Sequence, residues 1–456
     1  MPLQSINPSS NEVIKIYEEI SFDEIQIKLQ AAENAHQAWR KTAFSHRAGL
    51  MKKAGQILLK RKEEFAKLIA LEMGKPLKQG ALEIEKCALV CDYYAENAEK
   101  FLSPEEVKTE ALKSYVSFEP IGIVLAIMPW NFPFWQVFRF AVPALMAGNA
   151  GVLKHAFNVS GCALAIEDVF AEAGFPVHLF VTLLCDIPQI PKLIEHPLIK
   201  AITLTGSTRA GQTVAAQSGR AIKKTVLELG GSDAFLILED ADLDKTVTLA
   251  CASRLLNAGQ SCICAKRFIV VKSIQKEFEQ RLSTEMNKVV LGDPFEAATT
   301  MGPMARMDLR EALHRQVTES ILKGAKLLLG GKIPGGKGAY YPPTILTEVK
   351  KGMPAYSEEL FGPVATIIPV EDEEEAIFVA NDTEFGLGAA VFTQDLKRGE
   401  EIAQKRLEAG CCYVNNMVRS DPRLPFGGIK GSGYGRELSH FGIREFVNIK
   451  TVCIHK

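Results

Sequence analysis

The stretch IGIVLAIMPWNFPFWQVFRFAVPALMAGNAGVLKHA, Ile121 to Ala156, decides the fold class. A short apolar run opens it, a helix-length apolar segment (QVFRFAVPALMAG) follows, and a second apolar run (GVLKHA) closes it. Strand, helix and strand over this span read as a βαβ unit, which sets two strands in one parallel sheet. Toward the C-terminus the alternation continues through the helix CALAIEDVFAEAG, the strand AITLTGS, an Ala-rich helix and the strand KTVLELGG. Toward the N-terminus it stops. From Ser21 to Phe101 apolar residues recur at three- and four-residue spacing, the mark of amphipathic helix. A second α/β stretch begins near DAFLILED, with helices expected over Asp242–Ala258 and Ser273–Val289.

The 456 residues leave room for two or three domains at roughly 100–200 residues each. Lys plus Arg is 53 and Asp plus Glu is 54, a net charge of −1, which argues against a nucleic-acid partner. Apolar runs such as Gly122–Met128 fall far short of the ~20 residues that span a bilayer, so no membrane partner is expected. The N-terminal MPLQSINPSSNEVIK lacks the basic start and apolar stretch of a signal peptide, and a cytoplasmic protein is expected. Its ten cysteines are scattered and should be reduced. No pair of CxxC motifs occurs and the histidines are dispersed, so no metal site is expected.

Two decoys fall away first. GKIPGGK (Gly331–Lys337) nearly matches a phosphate-binding loop, but Gly338 stands where a Mg²⁺-binding hydroxyl belongs, and AYYPPT follows where a helix should begin. No G-x-S-x-G elbow occurs, which removes a serine hydrolase.

NAGQSCICAKRF carries more. Cys262 lies between an apolar helix and the strand KRFIVV, a junction whose amides and dipoles can favour the thiolate; the bland alternative is a packed small hydrophobe. In TVLELGGSDAF, Glu228 is flanked by Leu227 and Leu229. Desolvation there would raise its carboxyl toward the range of a general base, unless it sits on the solvent face of an edge strand.

Six motifs in order, PWNFP (129–133), LTGST (204–208), LELGG (227–231), GQSC (259–262), EELFGPV (358–364) and PFGGIKGSGYGRE (425–437), resemble the aldehyde dehydrogenase superfamily. The resemblance runs from about residue 5 to the end of the chain. It implies a Rossmann-like cofactor domain (1–101 and 121–230) and an α/β catalytic domain (231–430). A small β oligomerisation element (102–120 and 443–456) would pair copies into a homodimer or homotetramer.

By that resemblance Cys262 is the nucleophile and Glu228 the base. Asn131, with the Cys262 amide, would stabilise the alkoxide at typically ~3–4 kcal/mol per donor; a turn or helix-cap role for Asn131 can coexist. The cofactor would be NAD⁺ or NADP⁺, bound by Lys154 at the adenosine ribose and by Gly206 and Ser207 at a helix N-terminus. Glu359 and Phe361 would hold the nicotinamide end, with Trp130 nearby. NAD⁺-preferring members often carry a glutamate three residues after the lysine. Phe157 stands there, which removes repulsion against a 2′-phosphate and favours NADP⁺.

Arg139 follows Asn131 by eight residues, ~12 Å of helical rise, which suits a short aldehyde ending in a carboxylate. Arginine here and Ser420 in NNMVRSDPRLPFGG resemble the short bacterial succinate-semialdehyde dehydrogenases; the alternative for Arg139 is a neighbouring protein carboxylate. A second arginine used by some of them is absent, Leu256 taking its place, with Arg254 two residues earlier. Other carboxylated or short aliphatic aldehydes, and a non-catalytic scaffold, are the competing readings. Cys264, two residues past Cys262, could close a reducible disulfide with it or simply fill the strand.

Overall fold

In the computed structural model, which describes residues 3–456, the βαβ unit is a strand at Ile123–Met128, a helix at Trp135–Met146 and a strand at Ala150–His155. The two strands pair in parallel from Ile123 opposite Ala150 to Met128 opposite His155. Phe180–Thr182 extends the sheet on one side, and Ile199–Thr205 then returns to the other side of Ile123–Met128. That reversal opens a crevice at the carboxyl ends of the strands, where α/β sheets bind ligands. Lys224–Glu228 follows, and the short strand Gly433–Tyr434 closes this six-stranded sheet, antiparallel to Leu227 and Glu228. Glu228 therefore lies on an interior strand.

Four helices, Phe22–Trp39, Phe44–Lys60, Lys62–Met73 and Leu77–Phe101, fill the region read as helical. The hairpin of Leu3–Ile6 and Val13–Tyr17 before them was not legible. Val13, Ile14 and Ile16 are all exposed, so no one-sided alternation marks the strand.

The second sheet has seven strands, with Asp233–Ile237 and Ala265–Val271 near its centre and Gly388–Phe392 beside the former. Only the outer strand Lys326–Leu329 is antiparallel. The loop GKIPGGK joins that strand to Thr344–Thr347 with no helix after it, as the decoy reading requires. A third, three-stranded antiparallel sheet joins Glu105–Glu106, Lys113–Pro120 and Val447–Ile454. Among the described residues no helix is long and apolar enough to cross a membrane.

All twelve residues of the helix Trp135–Met146 are buried. Two of them, Gln136 and Arg139, are polar and must find partners inside the protein.

Candidate active site

The helix Leu243–Leu255 ends in a turn in which Asn257, Ala258 and Gly259 all take positive φ (54°, 52° and 73°). At Gly259 a Cβ would lie 2.2 Å from the Gly362 carbonyl oxygen, so only glycine lets the two loops touch. Arg254, fully buried, ties this turn together by donating to the carbonyls of Gly259 (2.6 Å) and Ala265 (3.1 Å). It is structural and does not face a substrate.

The turn delivers Cys262 to the wall of a tunnel of about 410 Å³. Lys266, itself buried, donates to the carbonyls of Ser261 (2.9 Å) and Cys262 (2.8 Å) and pairs with Glu359 (3.2 Å). Burial pushes the Cys262 thiol up to about 12; Arg139 and Lys266 pull it down, while Glu228 and Glu359 push it further up. The thiolate expected from the junction is thus not the resting state, because desolvation outweighs the two nearby cations. A base must take its proton. Glu228 is buried at the end of its strand with neither carboxylate oxygen hydrogen-bonded. Burial, then the Glu437 carboxylate, hold its carboxyl well above the usual range, as its apolar flanks predict.

Asn131 does not cap the helix that follows. Its Nδ2 donates to the Gln260 carbonyl (3.0 Å), and Gln136 Nε2 donates to its Oδ1 (3.0 Å), which fixes which end of the amide is the donor. Its own carbonyl receives Asn257 Nδ2 (2.7 Å) and Lys75 Nζ (3.1 Å). Glu83 pairs with Lys75 and accepts the amides of Phe134 (2.9 Å) and Trp135 (3.0 Å), doing the capping work.

Arg139 lines the same tunnel, but its guanidinium pairs with buried Glu437, lies 4.8 Å from the Phe426 ring centroid and reaches Thr205 Oγ1 at 3.4 Å. The alternative of a protein carboxylate is the one the structure shows: Glu437, in the sequence-distant GYGRE, folds onto it. Ser420 lines the tunnel and accepts a 2.6 Å hydrogen bond from Lys86, which no sequence argument singled out. Cys264 is buried, and its thiol turns to the Leu256 carbonyl (3.7 Å).

At the crevice of the first sheet, Lys154, next to last in its strand, is buried with no hydrogen bond or ion pair among the described residues, and burial lowers its ammonium. The first-turn amides of the helix Thr208–Arg220 follow the strand Ile199–Thr205 of the same sheet. The expectation for Gly206 needs correction: its amide donates to the Glu228 carbonyl (3.0 Å), and Ser207 Oγ caps its own helix through Ala210 (3.3 Å). The anion-binding donors of this helix are then its remaining first-turn amides. Glu359 Oε1 accepts the Gly231 amide (3.0 Å), and Trp130 meets Phe361 edge to face at 5.8 Å. Phe157 lies under the guanidinium of Arg306 (5.1 Å), which also chelates Asp308. A partnerless buried cation, a free helix N-terminus and an acid beside aromatic rings together suit a dinucleotide.

Lys86, Lys75, Glu83, Gln136 and Lys266 were missed. The available signal was a charged or amide residue inside an apolar run, as in KRFIVV and FWQVFRF.

Comparison with known proteins shows the family. A model of the aldehyde dehydrogenase family matches residues 1–452. The chain is 48% identical over 454 residues to a probable NADP(+) succinate-semialdehyde dehydrogenase of Synechocystis, covering 100% of each. It is 46% identical to an NAD(P)+ succinate semialdehyde dehydrogenase of Escherichia coli, covering 98% of this chain and 97% of the other. A crystal structure of succinic semialdehyde dehydrogenase from Streptococcus pyogenes with NADP+ superposes with a TM-score of 0.97 at 35% identity, over 99% of this chain and 100% of that one.

Proposed function

Since the chain belongs to the aldehyde dehydrogenase family, we propose that it oxidises succinate semialdehyde to succinate with NADP⁺ or NAD⁺, NADP⁺ being favoured. The observation that carries the reading is the convergence of Cys262, Arg139 and Ser420 on one tunnel. The lean to NADP⁺ is supported by Phe157, where no carboxylate opposes a 2′-phosphate and the Arg306 guanidinium lies over the ring.

In the proposed reaction Glu228 takes the thiol proton, and Arg139 and Lys266 stabilise the thiolate as it forms. The sulfur attacks the aldehyde carbon; a C–S bond forms and the carbonyl π electrons move to oxygen. Asn131 Nδ2 and the Cys262 amide stabilise that oxygen. The bound nicotinamide supplies the hydride acceptor. Collapse of the alkoxide with loss of hydride leaves an acyl group on Cys262, and Glu228, once it has passed the thiol proton to solvent, deprotonates the water that releases the carboxylate. Lys154, Glu359 and Phe361 orient the dinucleotide, and Glu359 is in turn held by Lys266 and the Gly231 amide.

The protein acts in the cytoplasm as a homodimer or homotetramer. Exposed Ile449 and Ile454 on the terminal strand of the third sheet support an interface there. Oxidation of Cys262 by peroxide, followed by attack of Cys264, would form a disulfide with loss of water. Thiol reductant should then restore activity in the wild type, and a Cys264→Ala variant that loses and regains activity identically would exclude the disulfide.

An aldehyde panel with both dinucleotides, read at the absorbance of the reduced nicotinamide and without added CoA, tests the reading. Succinate semialdehyde should exceed glutarate semialdehyde and butanal in kcat/KM. Absence of reduced nicotinamide with every aldehyde would remove it.

A further inference from the structure

We propose that Lys86, with Ser420 beside it, holds the carboxylate at the far end of the substrate. The inference rests on reading the tunnel as an aldehyde site. Lys86 belongs to the helix Leu77–Phe101, and its side chain lines the tunnel onto which Cys262 opens. Its ammonium donates to Ser420 Oγ at 2.6 Å and lies 4.1 Å from the centroid of the Trp135 ring.

Three buried cations around the site already have counter-ions, and Arg254 is spent on backbone carbonyls. Lys75 pairs with Glu83, Arg139 with Glu437 and Lys266 with Glu359. Lys86 forms no ion pair among the described residues; its closest arrangement is a neutral hydroxyl and a ring face. The nearest acids do not answer it. Asp421 is chelated by Arg423, through Nε at 2.9 Å and Nη2 at 2.6 Å, and Glu83 is taken by Lys75. A half-buried ammonium left in this state is poorly solvated, and an incoming anion offsets that cost.

The surroundings select which anion. Leu82, Leu89, Phe132 and Trp135 make much of the wall beside Lys86 apolar, and the other unpaired cation of the lining, Arg419, is exposed to solvent. Ser420 Oγ accepts a hydrogen bond from Lys86 and keeps its own hydroxyl proton to donate to the same carboxylate. The groups facing Lys86 are Glu83 and Cys87 on its own helix, Arg139 on the helix Trp135–Met146, and Asp421 in the loop after Ser420. Burial and then Arg139 push its ammonium down to about 8, the condition of a cation lacking its counter-ion. The ligand is therefore a short aliphatic chain with an aldehyde at one end and a carboxylate at the other. Arg139, already neutralised by Glu437, works at the sulfur end.

Two measurements test this. Lys86→Met keeps the stem over Trp135 and removes the charge. The ratio of kcat/KM for succinate semialdehyde to that for butanal should fall about 10- to 100-fold, and Lys86→Arg should recover part of it. The wild-type ratio tests the substrate reading separately. Independently of turnover, succinate should slow alkylation of Cys262 by iodoacetamide in the wild type and not in Lys86→Met. Equal protection of both proteins, no protection of either, or an unchanged ratio would overturn the proposal. Dinucleotide fluorescence titration reports folding of each variant, and Lys86→Gln or Ser420→Ala reads the same ratio and protection if Lys86→Met does not fold.

Discussion

The ammonium of Lys266 donates a 2.8 Å hydrogen bond to the carbonyl oxygen of Cys262, from the second residue of the strand that follows the nucleophile. The same nitrogen pairs with Glu359 at 3.2 Å. The backbone of the nucleophile and the acid proposed to orient the dinucleotide thus share one cation.

Lys266→Met should raise the apparent pKa of Cys262, because one of its two stabilising cations is lost. The pH profile of iodoacetamide alkylation checks this and should move to higher pH. Turnover should fall about tenfold or more, as expected when a charged hydrogen-bond donor is removed from buried carbonyls. A profile identical to the wild type would mean the lysine holds the loop without affecting the sulfur.

Phe157→Glu should reverse the lean toward NADP⁺. A carboxylate there would oppose a 2′-phosphate and could accept a hydrogen bond from a 2′-hydroxyl. The NADP⁺-to-NAD⁺ ratio of kcat/KM should drop by about tenfold or more, since like charges a few ångströms apart in a partly buried site cost on the order of 1–4 kcal/mol.

The preference for acidic over neutral aldehydes should depend on pH. Lys86 is displaced downward to about 8, so it is charged below that value and loses its proton as pH rises through it. The ratio of succinate semialdehyde to butanal kcat/KM should therefore be high near pH 7 and decline above about 8. Lys86→Arg, whose cation keeps its charge in this range, should flatten the decline.

Glu83→Gln should destabilise the protein by about 3–5 kcal/mol, the usual cost of stranding one partner of a buried ion pair. Lys75 would lose its counter-ion inside the core, and the amides of Phe134 and Trp135 would lose a charged acceptor. Chemical denaturation reads this directly. Replacing both residues, Lys75→Met with Glu83→Gln, should recover part of the loss.

Strands and helices with strong periodicity were legible in the sequence, and so were the motif residues Cys262, Glu228 and Asn131. Each sits at the end of an apolar run, where the pattern breaks visibly. What local pattern could not show was pairing across distance. Which carboxylate meets Arg139 could not be read locally, because Glu437 lies almost 300 positions away along the chain. Lys86 and Ser420 are 334 positions apart and meet only because the folded helix Leu77–Phe101 flanks the tunnel. The thiol was misjudged for a related reason: junction dipoles are local, whereas the desolvation that dominates Cys262 comes from the whole surrounding fold.

The contact between Gly259 and the Gly362 carbonyl bears on how this catalyst can be redesigned. Any larger side chain at Gly259 would disturb the sulfur-bearing turn and the loop holding Glu359 at once, so that flank is closed to engineering. Altered substrate scope must come from the opposite wall, where Leu82, Lys86 and Leu89 can be exchanged without moving the chemistry.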